Sequence, residues 1–355
     1  MSTLTKYILQ KYIKNFIIVL ISLEIFFVGM DFLQNFKSIP NSANLQLLYI
    51  AYNSFFTLTL ALPLSIVFAW IITIVIFIRN NEFVAFNALG AKRKDILNPI
   101  IASALVLILS LIALQTTPLA YSYEQKKKIL DDEYFSSMKS DIFLKYNEYF
   151  VYFEKFLPIE KKAENIHIFK IKDDNLLETI VAQKAYFQNN KWYVVDAKIV
   201  EKPENIDEDS SKLIIRNEKF LNTLEGFKPK ILDNVYESKS EYSLFDAIEA
   251  LSLLKEQGIN TQKIRTNIYN QIFIPFFVLP ILLLIYAYSS LNSRFFEMGK
   301  FVSLTIFGTL VIWGVFFMLF KVSSTSSIAA EITMLLPLLI WFIASFYIYF
   351  TKIKA

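Results

Sequence analysis

The chain has 355 residues, 55% of them hydrophobic, and a formal net charge of only +4. That composition excludes a wholly soluble globule, and the small charge without an aromatic-interleaved basic run argues against nucleic acid. With no cysteine and a single histidine, His167, disulfides, thiolate metal sites and two-histidine metal sites are also excluded.

Lys6, Lys11 and Lys14 precede an apolar run from Phe16 to Leu33. The run exceeds a signal-peptide core and no small-x-small site follows, so it reads as a retained first span with a cytoplasmic N-terminus. Glu24 lies inside it, where a carboxylate must face protein, water or a cavity. It reads either as a hydrogen-bonding residue in a helix contact or as part of a functional cavity. Asp31 to Asn44, with Pro40, reads as the first external loop. From Leu45 to Ile78 no residue is charged. That run is ~51 Å long as a helix against a hydrocarbon core of ~30 Å, so its start is expected outside the bilayer, with a kink at Pro63.

The stretch Asn80 to Lys94 follows, between two long apolar runs, and carries a basic cluster at Lys92, Arg93 and Lys94. The spacing predicts a short helix over about 80–90, with Phe83, Phe86 and Leu89 on one side and Val84, Ala85 and Ala88 widening the stripe. Glu82 falls in the first turn, where a carboxylate suits the helix dipole, and Gly90 is placed to end the helix. Such a helix suits either the grip of a partner outside the bilayer or the lipid surface itself. Asn98-Pro99 reads as a cap followed by proline at the first helical position, opening a third span that stops before Pro118.

Charges then become frequent and apolar residues alternate. Glu148 to Phe153 and Ile166 to Ile171 read as strands, and His167 as an ordinary strand or surface histidine. Glu178 to Gln188 and Lys191 to Val200 read as a hairpin turning at Asn189-Asn190. Leu213 to Ile215 and Lys219 to Leu221 continue the pattern, which predicts a compact antiparallel sandwich. The acidic run Glu204 to Asp209 falls in a Pro/Asn/Ser-bearing loop and reads as a solvated turn. Helical spacing returns from Ser243 to Gln257 and ends at Gly258. Three further spans are expected, Ile268 to Leu291, Phe301 to Phe320 and Ile332 to Phe350, none with a charge.

The fold class is therefore a membrane α-helical protein with an inserted β domain. Residues 1–117 hold spans 1–3 and the short helix. Residues 118–267 hold an external β domain with a connecting helix at about 243–257, and 268–355 hold spans 4–6. Basic residues concentrate at the N-terminus, Arg79 to Asp95, Arg294 to Lys300 and Lys352/Lys354, while the other short loops carry only Lys37 and Lys321. Both termini are thus expected in the cytoplasm and the β domain on the far side.

No G-x-x-x-x-G-K-[ST] run is present, so the chain carries no P-loop of its own. Coupled carriers and channels need ionisable relays or polar linings that these spans lack. A lipid-acting enzyme needs convergent acid/base groups, and none are evident. What remains is a membrane protein with a cytoplasmic handle and an external β domain. A non-transporting envelope scaffold or sensor, whose β domain binds a partner, is the alternative.

With Glu82, Ala88 and Gly90 in the short helix, and Leu244 to Gly258 followed by Asn270 to Pro275, the whole chain resembles the LptF/LptG lipopolysaccharide-export permeases, and LptG more than LptF. Leu89 stands where a small hydroxyl residue is common, and Lys92 replaces a usual Ser or Thr. The resemblance implies six spans, three on each side of a periplasmic β-jellyroll-like domain, in the inner membrane of a Gram-negative bacterium. It implies a heterodimer with a second six-span permease, an ATPase dimer docked on Glu82, Phe83, Phe86, Ala88 and Gly90, and a periplasmic jellyroll bridge that receives lipopolysaccharide. ATP and magnesium would be bound by the ATPase, and the chain itself would be non-catalytic. Basic residues at the external rim would pair with lipid phosphates. Lys37 leads these candidates, followed by Lys321, with Glu24 inside the span. For Lys37 an interface-snorkelling lysine is the alternative. Asp31 lies where the family can carry a basic residue, and there it would oppose an anionic lipid.

Overall fold

A computed structural model describes residues 3–131, 134, 139–146, 148–157, 160–172, 175–189, 191–202, 213–227, 243–256, 260–289 and 296–353. The run at 204–209, Asn190, the helix end at 257–258, Arg294 and Lys354 lie outside the described residues. The chain packs as two compact units. One comprises Met1–Leu130, Ser240–Leu251 and Asn260–Ala355, and the other Asp131–Lys239 and Ser252–Ile259.

The helical unit begins with α1 (Thr3–Asn35), α2 (Ala43–Arg79), α3 (Glu82–Ala88), α4 (Arg93–Gln115) and α5 (Ser122–Leu130). After the β unit come α6 (Leu244–Glu256), α7 (Gln262–Ile272), α8 (Val278–Tyr288), α9 (Met298–Ser324) and α10 (Leu336–Ile353). Helices α1, α2, α4, α9 and the segment Glu331–Thr351 are each long and apolar enough to cross a membrane. The expected fourth span is a bent pair, Gln262–Ile272 with Ile274–Tyr288, turned by 44°. A 3₁₀ turn at Ile274–Phe277 joins its halves. Pro275 sits at the start of that turn and has no N–H to continue the α7 ladder, which gives the bend a local cause.

Helix α2 is the axis of the unit. Its apolar residues are buried nearly all round, with Ile66, Val67, Trp70, Ile74 and Phe77 inaccessible to solvent. The Trp70 indole N–H donates to the Leu282 carbonyl of α8 at 3.3 Å. Pro63 lies inside one uninterrupted helical segment. Helix α4 starts earlier than expected, at Arg93, and Pro99 sits buried inside it. The reason is a local cap: the Asp95 carboxylate accepts from the Lys92 backbone N–H at 2.9 Å, so the helix is already nucleated upstream of the proline. The unit also runs past residue 117 to Leu130, because Lys126 and Ile129 of α5 are buried.

The β unit is built on β1 (Lys139–Tyr146), β2 (Tyr149–Leu157), β3 (Lys162–Lys172), β4 (Asn175–Gln188), β5 (Lys191–Glu201) and β6 (Ile214–Thr223). These six strands make one antiparallel sheet in sequence order. The described strands thus form a single meander, and the expected second sheet and jellyroll crossings are not among them. Period-two alternation aligns one face across the ladder, as in the row Val151, Ile168, Ile180 and Ile199. All four are buried. Trp192 closes this core, donating through its indole N–H to the Phe227 carbonyl at 2.7 Å. The Tyr146 hydroxyl donates to the Glu225 carbonyl at 2.7 Å, and burial pushes that phenol above its usual range. The hairpin between β4 and β5 pairs Gln188 with Lys191, with Asn189 at φ +48° in the left-handed region that such turns favour. His167 faces Val181 across β3–β4 and lies edge-on to Tyr152.

Candidate functional site

Helix α3 forms where expected, with Glu82 in its first turn. Gly90 follows at φ +76°, a left-handed position that a side chain adopts only with strain. Seven residues are too few for a helix to hold itself in water, so tertiary packing must hold it. Phe83 and Phe86 supply that packing. Both are buried, and both meet Phe77 of α2 edge-to-face, at 5.6 and 5.5 Å between ring centres. Phe83 also packs against Tyr286 of α8, whose hydroxyl donates to the Arg93 carbonyl at 3.1 Å. The expected stripe is therefore narrower than its composition suggested: Leu89 is 81% exposed, because the chain is already turning away into Gly90. Val84, Ala85, Asn87 and Ala88 are exposed as well. Of the five residues singled out in this helix, Phe83 and Phe86 serve as anchors and Ala88 lies on the open face.

Glu82 is used within the chain. One carboxylate oxygen accepts from the Tyr7 hydroxyl of α1 at 3.0 Å, and the other from the Asn80 amide at 3.1 Å. The Tyr7 ring also meets Phe86 edge-to-face at 6.3 Å.

A second polar cluster lies at the C-terminal end of α1. Asp31 receives the Lys126 ammonium of α5 at 2.6 Å and the Tyr49 hydroxyl of α2. Lys126 also donates to the Asn53 side-chain oxygen at 3.0 Å and sits 5.4–5.9 Å from the Tyr49, Phe56 and Tyr123 ring centres. Lys126 is only 5% exposed and Asn53 fully buried, and the Asn53 amide nitrogen has no hydrogen-bond partner. The charge of Asp31, read from the sequence as opposing an anionic lipid, is matched here by a lysine at contact distance.

Glu24 accepts from the Thr57 hydroxyl of α2 at 2.7 Å, while its second oxygen is buried without a hydrogen-bond partner. It thereby joins two helices. Lys37 is exposed in the turn after α1, and no ion pair engages it among the described residues. Lys321 is exposed on α9, folded over the Phe317 and Phe320 rings at 5.4 and 5.8 Å. The structure does not bring Glu24, Lys37 and Lys321 into one hydrogen-bonded or ion-paired cluster.

Sequence reasoning missed Tyr7, Asn53 and Lys126. A buried asparagine inside an otherwise charge-free run was a usable signal. Lys126 had none, since it stands in Lys126-Lys127-Lys128 and only packing distinguishes the three. Lys128 pairs with Glu124 at 2.7 Å, one helical turn away, while Lys126 turns inward. Among the described residues no group of His, Cys, Asp or Glu is arranged to hold a metal.

No curated protein matches the chain. A family model described as lipopolysaccharide export system permease LptF/LptG matches residues 6–350.

Proposed function

The chain belongs to the LptF/LptG lipopolysaccharide export permease family, and on that premise we propose that it is the membrane subunit of an ATP-driven transporter. In this reading it extracts lipopolysaccharide from the inner membrane and hands it, through its periplasmic β domain, to a jellyroll bridge. It works as a heterodimer with a second six-span permease, counting the bent α7–α8 pair as one crossing, and both termini are cytoplasmic. ATP and magnesium are held by a separate ATPase dimer, and the chain contributes the docking helix. The order of elements from Leu244 to Pro275 favours the LptG partner.

The observation that carries this reading is α3. It is too short to stand alone, is pinned from behind by Phe83 and Phe86, and leaves Val84, Ala85, Ala88 and Leu89 open on one side. A helix held rigidly from behind loses little conformational freedom when a partner grips its front, which favours docking. Glu82 and Gly90 shape the helix and Ala88 meets the ATPase. Lys37, at the exposed end of α1, meets lipid phosphate, with Lys321 in a lesser role and Glu24 joining α1 to α2.

The test is a mild-detergent purification of the tagged protein from its own membranes, with mass spectrometry of proteins and lipids together. Recovery of a P-loop ATPase, a second six-span permease and lipopolysaccharide is the expected result. Recovery of the chain alone overturns the transporter reading in favour of an envelope scaffold. In the same preparation Val84→Asp, on the open face, is expected to lose the ATPase while the chain stays inserted.

A further inference from the structure

Helix α1 is packed unevenly. Its buried residues are Ile8, Tyr12 and Phe16, one stripe at four-residue spacing in the N-terminal half. Beyond Phe16 no α1 residue is buried, and Ile25 and Leu33 are about 70% exposed. The C-terminal half is only half-buried, through Leu20, Leu23, Phe27 and Phe32, and its polar contacts are Glu24 to Thr57, and Asp31 to Lys126 and Tyr49. The neighbour that holds the Ile8–Tyr12–Phe16 block, α2, is buried along most of its length and is therefore the fixed frame.

On the N-terminal side of that block stands Tyr7, which makes two contacts with α3, the hydrogen bond to Glu82 and the ring contact with Phe86. The Lys11 ammonium lies over the same ring, 5.6 Å from its centre. With the fulcrum at Tyr12, the arm to Tyr7 is ~7.5 Å along the helix axis and the arm to Asp31 is ~28 Å. A rigid helix multiplies a displacement at Tyr7 roughly fourfold at Asp31. A shift of ~1 Å in α3 then carries Asp31 by ~4 Å, well beyond the reach of a hydrogen bond to Lys126.

We propose that Tyr7 is the positioning residue through which α3 turns α1, and that the Asp31–Lys126 pair is the contact this lever opens and closes. The inference rests on the docking role of α3 proposed above and adds the route by which the docked helix acts. A buried ion pair is poor value as simple stabilisation, since its desolvation offsets its attraction, and a two-position contact is a better-attested use.

The experiment uses the full transporter, with its ATPase and second permease, in proteoliposomes. Lipid delivered and ATP hydrolysed are measured together for wild type, Tyr7→Phe and Tyr7→Ala. Tyr7→Ala is expected to lower lipid delivered per ATP about tenfold while hydrolysis stays within about twofold. Tyr7→Phe, which keeps the ring against Phe86 and loses the Glu82 bond, falls between. A merely structural tyrosine would lower assembly and hydrolysis together. An unchanged lipid-to-ATP ratio in Tyr7→Ala overturns the proposal. The chain has no cysteine, so spin labels at the exposed positions Leu33 and Lys127 report the far end directly. Their separation is expected to change with nucleotide in wild type and to stay constant in Tyr7→Ala. A separation that changes equally in both also overturns the lever. If the wild-type chain binds no ATPase at all, the docking role itself falls, and the lever with it.

Discussion

The helical unit and the β unit both bury an apolar core, yet they treat charge in opposite ways. Among the described residues of the β unit the ion pairs lie at the surface: Lys162 with Glu164 at 2.6 Å, Arg216 with Glu201 at 3.1 Å and Lys191 with Glu225 at 3.2 Å. Among its described residues no buried side-chain nitrogen or oxygen lacks a hydrogen-bond partner, and the Trp192 indole is satisfied by the Phe227 carbonyl. The helical unit instead buries a full charge, Lys126, and leaves the Asn53 amide nitrogen and one Glu24 oxygen without partners. Surface pairs contribute little because water screens them, whereas a buried pair is costly to split. The difference teaches that the β unit is arranged to persist in one form, while the helical unit carries contacts whose breaking has consequences.

Four substitutions sharpen or break that comparison. The largest effect is expected for Trp192→Ala, which empties the β core and orphans the Phe227 carbonyl, at a cost of about 4 kcal/mol. Hydrogen exchange should show β1–β6 losing protection while α2 keeps it. Loss in both would mean that the units do not unfold separately. Next is Lys126→Met, which strands the Asp31 carboxylate and is expected to cost about 3 kcal/mol. Adding Asp31→Asn should restore most of the lost thermal stability, and a double variant as unstable as the single one would contradict the pairing. Gly90→Ala is smaller, about 1 kcal/mol, because an added Cβ meets nothing within 4 Å and only the positive φ penalises it. Its signature is reduced ATPase recovery with an almost unchanged melting temperature.

The smallest effect belongs to Glu164→Gln, about 1 °C or less in Tm at neutral pH. The hydrogen bond from Lys162 holds the Glu164 carboxyl below its ordinary value, and its charge adds to that. A depressed folded-state value stabilises above the unfolded-state pKa and is lost as pH falls through the folded one. The small gap between wild type and variant should therefore close in acid, as pH falls below the ordinary carboxylate range. Melting curves at neutral and acid pH check the sign, and a gap that widens in acid would refute the pairing.

Much of this architecture was legible in the residues. Long apolar runs announced the helices that are long and apolar enough to cross a membrane. Period-two alternation marked β2 to β5 within a few residues, and Glu82 with Gly90 bounded α3. Pro99 misled because its usual place at a helix start was outweighed by the Asp95 cap four residues earlier. Leu213 to Ile215 and Lys219 to Leu221 proved to belong to one strand region, with β6 running from Ile214 to Thr223, because a strand tolerates the polar residues between them on an exposed face. The candidate site was less legible. Phe83 and Phe86 carried an apolar signal without saying whether they would meet a partner or the chain itself.

By itself the sequence determined most of the helical and strand segments, because these follow from local periodicity and from turn and cap residues, though β1 and α5 carried no pattern strong enough to mark them. Only the tertiary structure decided what each face meets. It turned Lys126 inward, left Lys127 exposed and Lys128 half-buried, and joined Tyr7 to Glu82 across 75 positions. It also set Asp31 against the Lys126 ammonium of α5. Those choices depend on contacts between residues far apart in the chain, and local pattern carries no record of distance.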